Sequence, residues 1–436
     1  MTLRSIARRQ ESVLLAFSVL LALFAPATVE SGSPITEFPL SKIHSFPNAI
    51  AAGPDGNVWF CEGGSGKIGR ATPDGLISEF STSLAPVGIT SGPDGNLWYV
   101  AVDEEFGGSL IGRLTPDGQR TEFSVFQGNL SGGIVAGPDG NLWFTQVGST
   151  NSIGRITPAG VINTFPILGN AQHWQTSIAL GPDGNLWFAE PGSRRIGRMS
   201  TVGETEEFEI PVGWGPFTIV AGPDGNLWFT GTNGIGRITT SGEVAVFPVA
   251  ADALAVGPDG NLWFADSSGN RVGRLSIAFG KVVPDAIVAM PTANAGNFWI
   301  AAGPDGNVWF TESKGNAIGR IDLSAVCAPG TLCLGGRFEV SAAWEGGGSS
   351  GAGMPVSLTD RTGAFWFFQP SNLEVFIKIL DSCAGTGSFN VYVNGLTHAG
   401  VTLTVTDKQT GASRSFVNPG GAAFSLLFDG STFSCP

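Results

Sequence analysis

The stretch Ile134-Val-Ala-Gly137-Pro-Asp-Gly140-Asn-Leu-Trp143-Phe144 decides the fold. An apolar run enters a Gly-Pro-Asp-Gly turn, where Pro presets φ and Gly accepts a left-handed backbone. Leu142-Trp143-Phe144 leaves it as a strand. Adjacent strand residues point to opposite faces, so Trp143 and Phe144 place large rings on both sides. Such a strand must be covered on both faces. Ser152 to Ile156, a turn at Pro158-Ala159-Gly160 and Val161 to Phe165 complete four short β runs.

The same unit recurs. Gly-Pro-Asp-Gly-Asn begins at Gly53, Gly92, Gly137, Gly181, Gly222, Gly257 and Gly303, at spacings of 35 to 46 residues. Each copy is followed by Trp59, Trp98, Trp143, Trp187, Trp228, Trp263 or Trp309, and later by a Gly-Arg pair, from Arg70 to Arg320. Four short strands per unit at this period predict an all-β fold, a seven-bladed β-propeller in which each blade covers its neighbours. The outer strand reads Ile77-Ser-Glu-Phe80 in the first unit, but the seventh stops after Arg320-Ile321. Ile35-Thr-Glu-Phe38 stands ahead of the first unit with nothing to pair to. Residues 35–40 are therefore expected to complete the last blade and leave no open edge. The repeated Asp and Arg occur once per blade, which fits turn chemistry and strand-end pairing better than a single ligand site.

Composition agrees. In 436 residues, 42% are hydrophobic and 14% charged, with 64 Gly and 27 Pro, which excludes both a disordered chain and a helical one. A net charge of −13 argues against nucleic acid or an anionic membrane as partner. Arg4, Arg8 and Arg9, the apolar run Val13 to Phe24 and Ala25-Pro26-Ala27 read as a secretory signal peptide over residues 1–27. The run is shorter than the ~20 residues of a membrane span. The expectation is a secreted or periplasmic monomer with no membrane span after signal removal. The propeller occupies residues 28–326. Residues 327–436 read as a small β-sandwich-like domain, with Gly346 to Gly353 as a separator between strands. Four of five Cys lie here, and Cys327–Cys333 with Cys383–Cys435 is preferred among three connectivities. Cys61, at a strand position, reads as a buried inert thiol.

Units of Ile-x-x-Gly-Pro-Asp-Gly-Asn-Leu-Trp-Phe-Thr-Glu, then Ile-Gly-Arg-Ile-Thr and a Glu-Phe strand, resemble the virginiamycin B lyase (streptogramin lyase) family over residues 33–323. The resemblance implies a seven-bladed propeller and a magnesium-dependent elimination that opens cyclic depsipeptide antibiotics at an ester bond. The family places His before the turn Gly in its last two blades, with a Glu ahead of the final His and another in Trp-Phe-x-Glu. Here the two His positions hold Asp252 and Phe298, and the first Glu position holds Gly296. Glu312 matches, which makes it a catalytic candidate. His173, in Gln172-His173-Trp174-Gln175, is the His placed to serve as a base; His44 and His398 read as loop residues. Glu62, Glu190, Asp266 and Glu312 hold equivalent positions, and Asp252, Asp266 and Glu312 form a candidate magnesium set. No other cofactor is implied. Trp174, Trp214, Phe217, Phe298 and Trp299, with Asn48 and Glu62, are candidate ligand contacts at the channel mouth for a small molecule, glycan or peptide. Two readings follow: a non-catalytic binder using the mouth, or a lyase of the family type or related metal-dependent hydrolase. Phe298 cannot move a proton, which ranks binding first.

Overall fold

The computed structural model describes residues 33–436 except 104–107, 126–128, 148–150, 168–175, 279–280, 297–298, 329, 336, 360, 369–371, 423, 425 and 436. The expected signal peptide lies outside the described residues. Among those described, no helix is long and apolar enough to cross a membrane.

Seven four-stranded antiparallel sheets precede residue 322. The first runs Pro47–Ala52, Val58–Glu62, Lys67–Ala71, Ile77–Ser81 from the inner strand outward. The inner strands of successive sheets lie against one another around the whole series, the last returning to the first. The paired rings of the second strands explain why. Trp59 shares a buried cluster with Tyr99 of the next sheet, Trp98 with Phe144, and Trp143 with Phe188. Trp187 joins Phe229, Trp228 joins Phe264, Trp263 joins Phe310, and Trp309 closes the circle on Phe60. Each sheet gives a Trp to one neighbour and a Phe or Tyr to the other, and neither ring reaches water. The architecture is a β-propeller.

The repeated polar residues hold this frame. In the third sheet Asp139 accepts from Trp143 Nε1 at 3.0 Å and from Asn141 Nδ2 at 2.8 Å, while Gly140 takes φ 75°. The Arg155 guanidinium lies 5.6 Å from the Trp143 ring centre. Arg70 and Arg113 reach on to carbonyls of the following sheet, Pro116 and Pro158, each at 3.0 Å. Arg198 does the same to Thr240 at 2.8 Å, and Arg320 to Pro73 across the closure. The Gly before each Arg is required by packing: a Cβ on Gly197 would sit 2.1 Å from the Phe188 ring.

Ile35–Pro39 is the outer strand of the seventh sheet, with Ile35 opposite Ile321 and Pro39 opposite Ala317. It ends one residue before the expected Leu40. Phe38 stacks on Trp309 at 5.5 Å, as Phe80 does on Trp59 at 5.3 Å.

Beyond the ring, two five-stranded sheets share one apolar core that includes Val340, Leu403, Phe365, Ile377 and Val391. Residues 346–353 differ from expectation. Phe338–Gly346 turns through Gly347 and Gly348, both at positive φ, into a further strand, Ser349–Ala352, so glycine here builds a hairpin. Disulfides join Cys327 to Cys333 and Cys383 to Cys435. Arg337 grips Asp407 with two hydrogen bonds of 2.8 and 2.7 Å. The chain leaving the ring is held from both sides. Arg274 donates to the Ala328 carbonyl, and Lys408 Nζ to those of Ser324 and Val326.

Candidate ligand-binding mouth

Each second strand runs from its Gly-Pro-Asp-Gly turn toward the opposite end of the ring, where the inner strands begin: Pro47 is opposite Glu62, and Pro216 opposite Gly231. The segments leading into the inner strands therefore border one end of the channel. Phe46 (48% exposed), Phe217 (40%) and Trp299 (38%) present ring surface there. Trp214 is half-buried against the cluster containing Phe229, which removes much of it from a ligand's reach. Asn48 spends its amide on the frame, its Oδ1 accepting from the Ala49 N–H and its Nδ2 donating to the Pro86 carbonyl of the next sheet. His173, Trp174 and Phe298 lie outside the described residues.

Phe46 was missed in the sequence. It stands two residues before Asn48, as Trp174 stands two before Thr176, and this parallel could have found it. Phe46 and its neighbour His44 adopt φ 46° and 61°. A bulky residue at positive φ costs about 1–3 kcal/mol and persists only where its surroundings hold it. The hold is visible: Asn316 Oδ1 accepts from the Ser45 N–H at 2.9 Å, and Asn316 Nδ2 donates to the Lys42 carbonyl at 2.9 Å.

The four acids at the strand ends are withdrawn from solvent. Glu62, Glu190 and Glu312 are fully buried and Asp266 nearly so. Glu62, expected as a ligand contact, is fully buried and accepts from Ser65 Oγ at 2.9 Å. Burial pushes its carboxyl above the ordinary range against the hydrogen bonds of Ser45 and Ser65. Three of the four face a cation on the third strand: Lys67, Arg195 and Arg271. Lys67 also pairs with Glu79, and Arg195 with Glu207 at 2.6 Å. Asp266 takes the Arg271 Nε at 2.8 Å, together with Ser268 Oγ and the Gly269 N–H. Burial raises its pKa, but these bonds outweigh burial and hold it below the usual carboxylate range.

The seventh sheet breaks this pattern. Ala317 stands opposite Glu312, and Glu37 occupies the outer-strand register that Glu79 and Glu207 hold in their sheets. Among the described residues neither Glu312 oxygen has a hydrogen-bond donor, and its facing polar group is the Glu37 carboxyl. Burial, then Glu37, pushes Glu312 up to about 8. Glu37 itself accepts from the Thr292 N–H and Oγ1 at 2.9 and 2.7 Å. Glu312 is thus a buried carboxyl that burial and Glu37 bias toward its protonated form.

The proposed magnesium set is not assembled. Among the described residues, the one group of three His, Cys, Asp or Glu donors within 4.8 Å of one another is Asp381, Cys383 and Cys435, and both sulfurs are in the disulfide. Asp266 is committed to Arg271, Glu312 is sealed, and Asp252 is exposed, accepting from the Ser267 N–H at 2.6 Å. A magnesium shell of several oxygens at one centre does not fit this arrangement.

The fold is thus a closed β-propeller whose strand-end acids are withdrawn from solvent and whose Phe46, Phe217 and Trp299 rings are part-exposed at one end. The chain belongs to the virginiamycin B lyase family, whose family model matches residues 27–170 and 127–329. A streptogramin B lyase structure is 32% identical, over 67% of this chain and 99% of that one, with a TM-score of 0.60. The virginiamycin B lyase of Staphylococcus aureus is 30% identical, over 66% of this chain and 98% of that one, with a TM-score of 0.59. A catalytically inactive His-to-Ala variant of that lyase with quinupristin matches equally well. The WD40 propeller domain of Doa1, 11% identical with a TM-score of 0.53, shares the fold alone. No match was found among curated proteins.

Proposed function

We propose that this chain is a non-catalytic member of its family, an exported monomer that binds a small molecule, glycan or peptide at the channel mouth. The observation that carries this reading is the loss of the bases: Asp252 and Phe298 stand at the family's two His positions. Loss of one His accompanies inactivity in the S. aureus variant. The matching acid, Glu312, is buried, and burial with Glu37 pushes its carboxyl toward the protonated form. Elimination needs a base that can reach the substrate, and general-base help contributes roughly 10²–10⁴-fold. The rings of Phe46, Phe217 and Trp299 remain available for binding.

The test is incubation of the protein with magnesium and quinupristin, following ring opening by mass spectrometry and binding by calorimetry. The expected result is no opening above the protein-free rate. Opening would instead establish the lyase reading that family membership favours.

A further inference from the structure

The fifth sheet is built differently from its neighbours at the mouth. In the sixth and seventh sheets the second strand ends in an acid, and four residues follow before the third strand: Asp266 to Arg271 and Glu312 to Ala317. In the fifth, Gly231 pairs directly with Gly234, leaving Thr232 and Asn233 as the whole turn. Two residues and an acid side chain are missing. Beside this short turn lies a cavity of about 630 Å³ lined by residues of the fifth and sixth sheets, a size that suits a small organic ligand.

Its chemistry is one-sided. Pro248, Ala250, Ala251 and the Phe217 ring line it with apolar surface. The polar groups are mostly spent on the protein. Thr232 Oγ1 and Asn233 Nδ2 both donate to the Gly213 carbonyl, and Thr230 Oγ1 is shared with Thr218 Oγ1 and the Asp252 carbonyl. The charge of Asp266 is answered by Arg271. Among the described residues, no Lys, Arg or His lines the cavity. What remains is the Asp252 carboxylate, exposed, with Oδ2 on the Ser267 N–H and no described residue donating to Oδ1.

We propose that this cavity binds an organic cation, an ammonium group on an apolar body, with Asp252 as its counter-ion and Phe217 against that body. The inference rests on reading the mouth as a binding site and deepens it. A carboxylate beside an exposed aromatic face attracts a cation twice over, through charge and through the ring quadrupole. A protein of net charge −13 steers cations inward and anions away.

Four probes decide it: 2-phenylethylamine, 2-phenylethanol, 3-phenylpropionate and methyl β-glucoside, followed by saturation-transfer NMR and calorimetry at about pH 7, where the amine is charged. The amine is expected to bind in preference to the other three and to weaken as salt rises. Asp252→Asn and Phe217→Leu should each weaken it about tenfold without lowering the melting temperature, since both side chains are exposed. Equal binding of the alcohol or the glucoside overturns the proposal, as does an unchanged affinity in Asp252→Asn. Amine binding that responds to Phe46→Ala and Trp299→Ala but not Phe217→Leu also overturns it while leaving the mouth as a binding site. So does binding of quinupristin with none of the four probes.

Discussion

Ala317 shows how one side chain changes the charge state of its surroundings. Lys67, Arg195 and Arg271 place a cation beside the buried acid of their sheets, whereas in the seventh sheet Ala317 stands in that register and Glu312 meets Glu37, with no cation among the described groups that shift it. A proton takes the place of the missing cation. Glu312 ordinarily titrates near 4.5 and is held near 8, so the native state keeps a proton that the unfolded chain releases. Its contribution to stability is complete below about pH 4.5 and is lost as pH climbs to about 8, at up to ~1.4 kcal/mol per unit. Melting temperatures between about pH 5 and 8 should fall more steeply in the wild type than in Glu312→Gln, which keeps the shape without the charge. Ala317→Lys should raise the melting temperature at the alkaline end by supplying the cation. A Glu312→Gln profile parallel to that of the wild type would sink this account. The missing cation was open to view in the sequence, because Ala317 aligns with Lys67 and Arg195 five residues after the acid. Its meaning was not, because Glu37 lies 275 positions away and meets Glu312 through the closing strand.

At the scale of the element, a blade is a sheet with two partners and one tether. Its Trp and Phe serve opposite neighbours, and its Arg reaches a carbonyl of the sheet that follows. Arg320 makes this reach at the closure and also lies over Phe38 and Trp309, each at 5.8 Å. Arg320→Ala should cost about 1–3 kcal/mol, the sum of a charge-assisted hydrogen bond and a cation–π contact. Urea unfolding measures it, and a loss within error of zero would show that the tether is ornamental. The blade pattern was legible because it rests on local chemistry: a Pro-Asp-Gly turn, adjacent rings, an apolar residue before Gly-Arg. The mouth was less legible. Its segments differ in length and carry no repeated motif, so the burial of Glu62 and the exposure of Phe46 depend on neighbours that spacing alone does not reveal.

The whole molecule couples two designs. The ring is held by repetition, while the C-terminal sheets are held by one core and two disulfides. Cys383–Cys435 spans 52 residues and Cys327–Cys333 spans 6. By loop-closure entropy the first is worth about 4 kcal/mol and the second about 2. Replacing Cys383 and Cys435 by Ser should therefore lower the calorimetric transition of these sheets more than replacing Cys327 and Cys333. The reverse order would show that the short loop anchors the chain where it leaves the ring. The closing strand has a further consequence, one of time. Ile35–Pro39 is made first and can pair only with Ala317–Ile321, after nearly the whole ring has been synthesised. Contacts of such sequence separation form slowly. Until then both partners have open strand edges, the kind that recruit other chains. The pairing that seals the finished ring is therefore the strand contact of greatest sequence separation in it, and both strand edges stay open until it forms.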